Sequence, residues 1–124
     1  MKRYVEEPGS DVVREAMDTA DAWFIVRTGF VETIRAVGIT AGRPATRACR
    51  DEWGAFGIVE VDQDLVEVAA DLALRRDLRS LDALNLAAAL TLPRDDLVLA
   101  TWDRRLHSAA IGEGIEVAPS RLPK

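Results

Sequence analysis

Two aspartates lie where a folded chain could use them for chemistry. Asp82 falls in the first turn of a predicted helix over residues 81–92, which is apolar on nearly every side. Thr101 and Asp103 come directly after residues 97–100, a short apolar run that predicts a buried parallel strand. Sites in open α/β sheets are commonly built at the carboxyl ends of the strands. Carboxylates at such an edge, without a set of Cys or His ligands, suit a hard cation such as Mg²⁺ or Mn²⁺.

Each aspartate also has a purely structural explanation. Ser80 is predicted to be the N-cap of the helix, so Asp82 would face the positive end of the helix dipole. Asp103 could cap a further helix that begins at Arg104. However, Leu86 lies on the same helical face as Asp82, which indicates that this carboxylate points toward the interior. A carboxylate directed inward needs a partner, and this favours a shared role for the two aspartates.

A third carboxylate, Glu32, follows the carboxyl end of another predicted strand. It lies away from the apolar stripe of its helix, in which Phe30 and Ile34 define the core face. Periodicity alone therefore favours a solvent-exposed glutamate. Its position just after a strand, like that of Asp103, is compatible with a ligand role at the edge of the sheet.

Apolar strand patterns alternate with helical patterns along the chain. We predict strands over residues 22–26, 58–61, 97–100 and 115–118. We predict a helix tail over residues 1–7 and helices from Ser10 or Asp11 past Met17, from Thr28 to about Val37 with Gly38 as the stop, over 45–56, from Asp62 or Gln63 to Arg76, over 81–92, and from Asp103 to about Ala110. Strands separated by helices require crossover connections and a mostly parallel sheet that is covered on both faces. The predicted fold class is therefore α/β.

The composition is that of a single globular domain over residues 1–124. Hydrophobic residues make up 48% of the chain and charged residues 30%, and the net charge is −5. This acidic balance argues against binding nucleic acid by bulk electrostatics, so such a contact would have to be local, whereas a basic partner segment would suit the surface. The chain has no leader pattern and no apolar run near the roughly 20 residues of a membrane span. We therefore expect a cytoplasmic protein that does not enter membranes.

Several other residues have simpler predicted roles. The single Cys49 excludes an internal disulfide and a cysteine zinc site, and its helical pattern predicts core packing. His107, the only histidine, has no Ser, Cys or second His at a suggestive spacing, so we expect it on a helix surface. The cluster of Arg75, Arg76 and Arg79 would compensate a helix dipole, or would hold phosphates if an acidic pocket lies beside it.

Two segments, residues 81–87 and 97–106, resemble the C-terminal half of PIN domains, especially the VapC-type toxins of bacterial toxin–antitoxin pairs. Residues 30–34 resemble the family's helix that carries an acidic ligand, and residues 2–10 resemble the end of its first helix. The resemblance implies a PIN-like three-layer α/β/α fold with a mostly parallel, five-stranded sheet. Family members begin with a strand that is central in the sheet and ends in a catalytic aspartate. That strand would lie upstream of Met1, so we expect a chain that is truncated relative to the family.

The same resemblance implies an activity and a set of site residues. It implies a metal-dependent endoribonuclease, the toxin of a toxin–antitoxin system, that uses Mg²⁺ or Mn²⁺, acts as a homodimer and is inhibited by an antitoxin with a basic tail. The implied catalytic and metal-binding residues are Glu32, Asp82 and Asp103, with Thr101 as a supporting group. Two arginines, Arg79 and Arg104, are candidate phosphate contacts.

The expected truncation leaves alternatives to an active enzyme. Without the family's first aspartate, activity of this chain is expected to be impaired, and a catalytically inactive PIN remnant that only dimerises or binds an antitoxin is the main alternative. A receiver-like or Rossmann-like domain is disfavoured because the chain has neither a Gly-rich phosphate turn nor an Asp pair after an initial strand.

Overall fold

The structure, a computed structural model, describes residues 10–122. The helix tail predicted over residues 1–7 lies outside the described residues. The chain divides after Val59 into two compact units. The prediction of a single domain is not decided by this division and stays a prediction.

From residue 10 onward, the first unit contains two strands and two longer helices. Its strands are parallel and pair in register from Trp23 opposite Phe56 to Val26 opposite Val59. In chain order its elements are α1 (Ser10–Thr19), β1 (Trp23–Val26), α2 (Gly29–Glu52), a short 3₁₀ turn (Trp53–Ala55) and β2 (Phe56–Val59).

Helix α2 covers two of the predicted helices, those from Thr28 to about Val37 and over 45–56, joined across a kink. The predicted stop at Gly38 is wrong: the chain stays helical there, and a Cβ at this position would lie 3.3 Å from Thr46 Cγ2, so the glycine permits a close approach of the two parts of the helix. The real break comes at Gly42, which has φ +76°, a left-handed value that favours glycine, and Pro44 then begins the second part.

An aromatic cluster explains why β2 begins earlier than predicted. The Phe56 ring lies with its centroid 5.4 Å from that of Trp23 and 5.2 Å from that of Trp53. These contacts draw Phe56 into the strand, whereas the sequence pattern had extended the preceding helix to this residue. The core prediction for Cys49 is confirmed, because its side chain is fully buried.

Up to residue 122, the second unit contains three helices and two strands. Strands β3 and β4 are parallel, in register from Val98 opposite Glu116 to Ala100 opposite Ala118. In chain order its elements are α3 (Gln63–Arg76), α4 (Ser80–Thr91), β3 (Val98–Ala100), α5 (Arg104–Gly112) and β4 (Glu116–Ala118). Helix α3 begins where the sequence predicts, because the Asp62 side chain accepts a hydrogen bond of 2.9 Å from Leu65 N.

The core of the second unit forms where α3 packs against α4 and where α5 packs against α4 and β4. Helix α4 supplies mainly small side chains, which allow a close approach of its neighbour, and α3 supplies larger ones. The buried residues include Leu65, Leu72, Ala83, Leu86, Ala87, Leu106, Ala110 and Ile115. Burying these side chains is the main contribution to the stability of this unit.

Parallel strand pairs connected through helices confirm the α/β class. The four strands of the described residues pair two by two. The expectation that β3 is buried is wrong, because Val98 is 45% exposed. Among residues 10–122 this strand pairs only with β4, so one of its edges carries no strand. None of the described helices is both long and apolar enough to cross a membrane.

The prediction of a surface position for His107 is also wrong. Its side chain is buried, and its Nε2 atom lies 2.8 Å from the carbonyl oxygen of Pro119. Helix α5 directs the His107 side chain toward the segment after β4, so the imidazole connects α5 to that segment.

Candidate active site

The turn after β3 holds Asp103 by two hydrogen bonds. Asp103 is the N-cap of α5, and its Oδ1 atom accepts a hydrogen bond of 2.9 Å from Leu106 N. Its own backbone N–H donates to Thr101 Oγ1 at 3.1 Å, and Thr101 N continues the strand pairing by donating to the Ala118 carbonyl oxygen at 3.0 Å. The structural role of Asp103 as a helix cap is therefore confirmed. Within residues 10–122 its second carboxylate oxygen makes no hydrogen bond, so it can serve a ligand.

Asp82 lies in the first turn of α4, as predicted, and is half-buried. The prediction that Ser80 caps this helix is wrong, because the helix begins at Ser80 itself. Arg79, in extended conformation, occupies the N-cap position without a side-chain capping bond. The backbone geometry of Arg79, rather than a Ser hydroxyl, therefore starts the helix.

The electrostatics of Asp82 reveal a neighbouring carboxylate. The pKa of Asp82 is raised, first because burial removes water from the carboxylate and second because of the negative charge of Asp103, while Arg79 opposes the shift. Two residues 21 positions apart in the chain are thus brought close enough for their charges to interact. A divalent cation between them would relieve this repulsion.

The donor set fits a hard cation. Mg²⁺ is commonly bound by one or two carboxylates and keeps several waters, and Asp82 and Asp103 supply this number of carboxylates. Within the part of the chain that the structure describes, no group of three or more His, Cys, Asp or Glu side chains lies together. Asp82 and Asp103 therefore form the core of the candidate site in the second unit.

Glu32 belongs to the first unit. It lies in the first turn of α2, shortly after the carboxyl end of β1, and its side chain is exposed, as periodicity predicts. At the same helix start, the buried Thr28 Oγ1 atom has no hydrogen-bond partner among the described residues. The metal-binding and catalytic role of Glu32 stays a prediction.

The candidate phosphate contacts lie in the second unit with the two aspartates. Arg79 is near enough to Asp82 to lower its pKa, and Arg104 directly follows Asp103 at the start of α5. The fold adds a feature that sequence reasoning missed: Arg105 and Arg104 line one cleft together with Arg75 and Arg76 from the end of α3. The sequence had indicated the basic run at the end of α3 and Arg104 separately, but not that they line one cleft.

Comparison with known proteins assigns the chain to a family. It is 35% identical over 132 residues to Ribonuclease VapC45 of Mycobacterium tuberculosis (strain CDC 1551 / Oshkosh), an alignment that covers 98% of this chain and 91% of the relative. Ribonuclease VapC46 of M. tuberculosis (strain ATCC 25618 / H37Rv) is 34% identical over 121 residues, which cover 97% and 92% of the two chains.

An α/β protein with two interacting carboxylates, one in the first turn of α4 and one just after β3, is thus related to named ribonucleases over nearly its full length. The chain belongs to the VapC family of PIN-domain ribonuclease toxins, which confirms the resemblance found in its sequence. No protein-family model matches the chain. No solved structure matches it either.

Proposed function

We propose that this protein is a metal-dependent endoribonuclease, the toxin component of a toxin–antitoxin system, that hydrolyses RNA phosphodiester bonds. The observation that carries the proposal is the interaction of Asp82 with Asp103: burial and then the negative charge of Asp103 raise the pKa of Asp82, and a bound cation would relieve the repulsion. The VapC relatives, which are named ribonucleases, give the reaction its substrate class.

Each proposed site residue has a distinct task. Asp82 and Asp103, with Glu32 as a further ligand, would hold Mg²⁺ or Mn²⁺, which when bound activates water and stabilises negative charge on a phosphodiester. Thr101 fixes the turn that aims Asp103, because its hydroxyl accepts the Asp103 N–H. Arg79 would orient a phosphate next to Asp82.

A cleavage assay on a mixed RNA substrate tests the proposal. We expect cleavage that requires Mg²⁺ or Mn²⁺, stops on addition of a chelator, and falls by orders of magnitude in Asp82→Asn, Asp103→Asn and Glu32→Gln. The variant Asp103→Asn is informative because Asn is also a good N-cap, so the helix start is kept while the charge is lost. Asp95→Asn, at an exposed turn of the same unit, is the matched control and should cleave like the unchanged chain.

The same assay distinguishes the inactive alternative. Cleavage that continues in Asp103→Asn, or that ignores the chelator, would contradict the carboxylate and metal mechanism. A folded chain that binds an antitoxin but never cleaves RNA would instead favour a PIN protein that acts only through dimerisation or antitoxin binding.

We also propose the partners of this reaction. The net charge of −5 suits an antitoxin whose basic tail enters the acidic site, and a homodimer is the proposed active form. Cytoplasmic RNA is the proposed substrate pool. Co-purification with the antitoxin, and its loss at high salt, tests the antitoxin complex. The molar mass in solution, measured by light scattering, tests the homodimer.

A further inference from the structure

We propose that the arginine cleft, defined by Arg75, Arg76, Arg104 and Arg105, binds the phosphate backbone of an RNA strand beside the two carboxylates. This inference rests on the proposed function, because it assigns a binding site for the substrate of that reaction. The cleft lies wholly within the second unit and is lined by the residues Arg75, Arg76, Asp77, Arg104, Arg105, Ser108 and Ala109.

The cleft gathers positive side chains on a chain whose net charge is −5. Its lining carries four arginines and one carboxylate, that of Asp77, and outside the lining Glu113 pairs with Arg75 and Arg76 while Asp71 pairs with Arg75. Arginine binds phosphate through two parallel N–H groups, and clusters of it are typical of phosphate sites. A cavity of about 480 Å³ leaves room for a phosphate and an attached sugar. RNA binding in this cleft would be a local contact, which is the kind of nucleic-acid contact expected of an acidic protein.

Two of the guanidinium groups are held in place before any ligand binds. Glu113, just after α5, accepts hydrogen bonds from Arg75 Nη1 at 2.8 Å and from Arg76 Nε at 2.9 Å. The Arg76 guanidinium also packs against Gly112, where an added Cβ would lie 2.5 Å from Nη1, and its side chain remains 31% exposed. Glu113 is thus a positioning residue that fixes the arginines at the end of α3 and lowers the cost of ordering them on binding.

Arg105, from α5, is easier to recruit than the arginines of α3. Arg105 pairs with Asp77 at 3.4 Å, but the two side chains are 65% and 90% exposed, so this ion pair is weak and can be exchanged for a phosphate. Arg104 directly follows Asp103 in the chain, so the cleft begins one residue from the candidate metal ligand. A strand held in the cleft would therefore continue toward the reacting carboxylates.

The test measures binding separately from cleavage. A fluorescein-labelled 12-nucleotide RNA is titrated with the full chain in the presence of a chelator, and the dissociation constant is followed by anisotropy at several NaCl concentrations. We expect Arg105→Gln and Arg104→Gln each to weaken binding by about 3- to 10-fold. Each should also reduce the slope of log affinity against log salt by about 0.7, the value for one lost contact to a single strand.

Matched variants distinguish RNA binding at the cleft from a general effect of the protein's net charge. Arg43→Gln, at an exposed position of the first unit, makes the same change in net charge and should leave binding within error of the unchanged chain. Asp77→Asn should tighten binding, because it removes the carboxylate that competes for Arg105. Equal weakening by Arg43→Gln and Arg105→Gln, or no effect of either cleft variant, would overturn the proposal. Displacement of the RNA by an equimolar deca-glutamate peptide would also overturn it, in favour of an acidic protein segment.

Failure of the cleft and failure of the proposed activity give different results. If RNA binding depends on Arg105 but the chain never cleaves RNA, the cleft proposal stands and the nuclease proposal is rejected. Metal-dependent cleavage with an unchanged KM in Arg105→Gln and Arg104→Gln would keep the nuclease and reject the cleft.

Discussion

Glu113 joins the end of α3 to the end of α5, and its replacement by Gln is the most informative change to the fold. The carboxylate accepts hydrogen bonds from Arg75 and Arg76, and its side chain is only 15% exposed. These hydrogen bonds lower the pKa of Glu113 from its ordinary value of 4.5 to about 2, and the bond from Arg75 contributes most. The charged form is therefore much more stable in the folded protein than in the unfolded chain.

The magnitude follows from this pKa difference. Fully expressed, it would correspond to about 3 kcal/mol of unfolding free energy at neutral pH. The Arg75 side chain is 48% exposed and that of Arg76 31%, so water and salt screen the interaction. We therefore expect Glu113→Gln to lower the free energy of unfolding by about 1–2 kcal/mol at pH 7.

The direction of the pH dependence is set by the lowered pKa. The stabilisation by Glu113 is complete above its ordinary pKa of 4.5 and is lost as the pH falls toward 2. Urea unfolding of both proteins at pH 7, 5, 4 and 3 should show a difference that shrinks steadily below pH 4.5. Glu116→Gln, at an exposed position of β4, is the control and should cost little at any pH. A difference of equal size at pH 3 and pH 7 would refute the ion-pair explanation.

Four further changes test the candidate site and its support. Asp103→Ala should lower the free energy of unfolding by about 1 kcal/mol through loss of the N-cap, whereas Asp103→Asn should not, as compared by urea unfolding. Because the pKa of Asp82 is raised, its ionised form destabilises the fold, so Asp82→Asn should raise the melting temperature at pH 7 but not below pH 3.8. Thr101→Val should reduce RNA cleavage at a cost of less than about 1 kcal/mol in stability, because it removes the acceptor for the Asp103 N–H. His107→Ala, which removes a buried ring and its contact with Pro119, should cost about 2–3 kcal/mol by urea unfolding. An Asp82→Asn melting temperature below that of the unchanged chain at pH 7 would contradict the burial argument.

Local signals in the sequence were sufficient for most of the elements. Asp62 before an apolar stripe and two arginines at its end predict α3 over the range observed, because caps and dipole charges act within one turn. The position of Asp82 in a first helical turn and of Asp103 after a strand follow from the same short-range rules. The family could be recognised from these segments, since they carry most of its motif.

Local signals were insufficient where a distant contact competes with them. Gly38 was predicted to end a helix that in fact continues, because glycine is only mildly unfavourable within a helix and the close approach of Thr46 favours it there. Phe56 continued a helical pattern, but its ring packs on Trp23 across the strand pair. His107 was predicted at the surface because the residues around it in the sequence do not indicate its contact with the Pro119 carbonyl, which lies 12 residues further along the chain.

The sequence by itself determined the class of the fold, the family and which carboxylates follow strands. Tertiary structure alone decided which charges meet: that Asp82 feels the charge of Asp103, and that Glu113 holds Arg75 from 38 residues away. Periodicity reports which face of a helix is apolar, but not which end of another helix will lie against it. That choice depends on how α3, α4 and α5 pack together, and it is the packing that assembles an arginine cleft on an acidic protein.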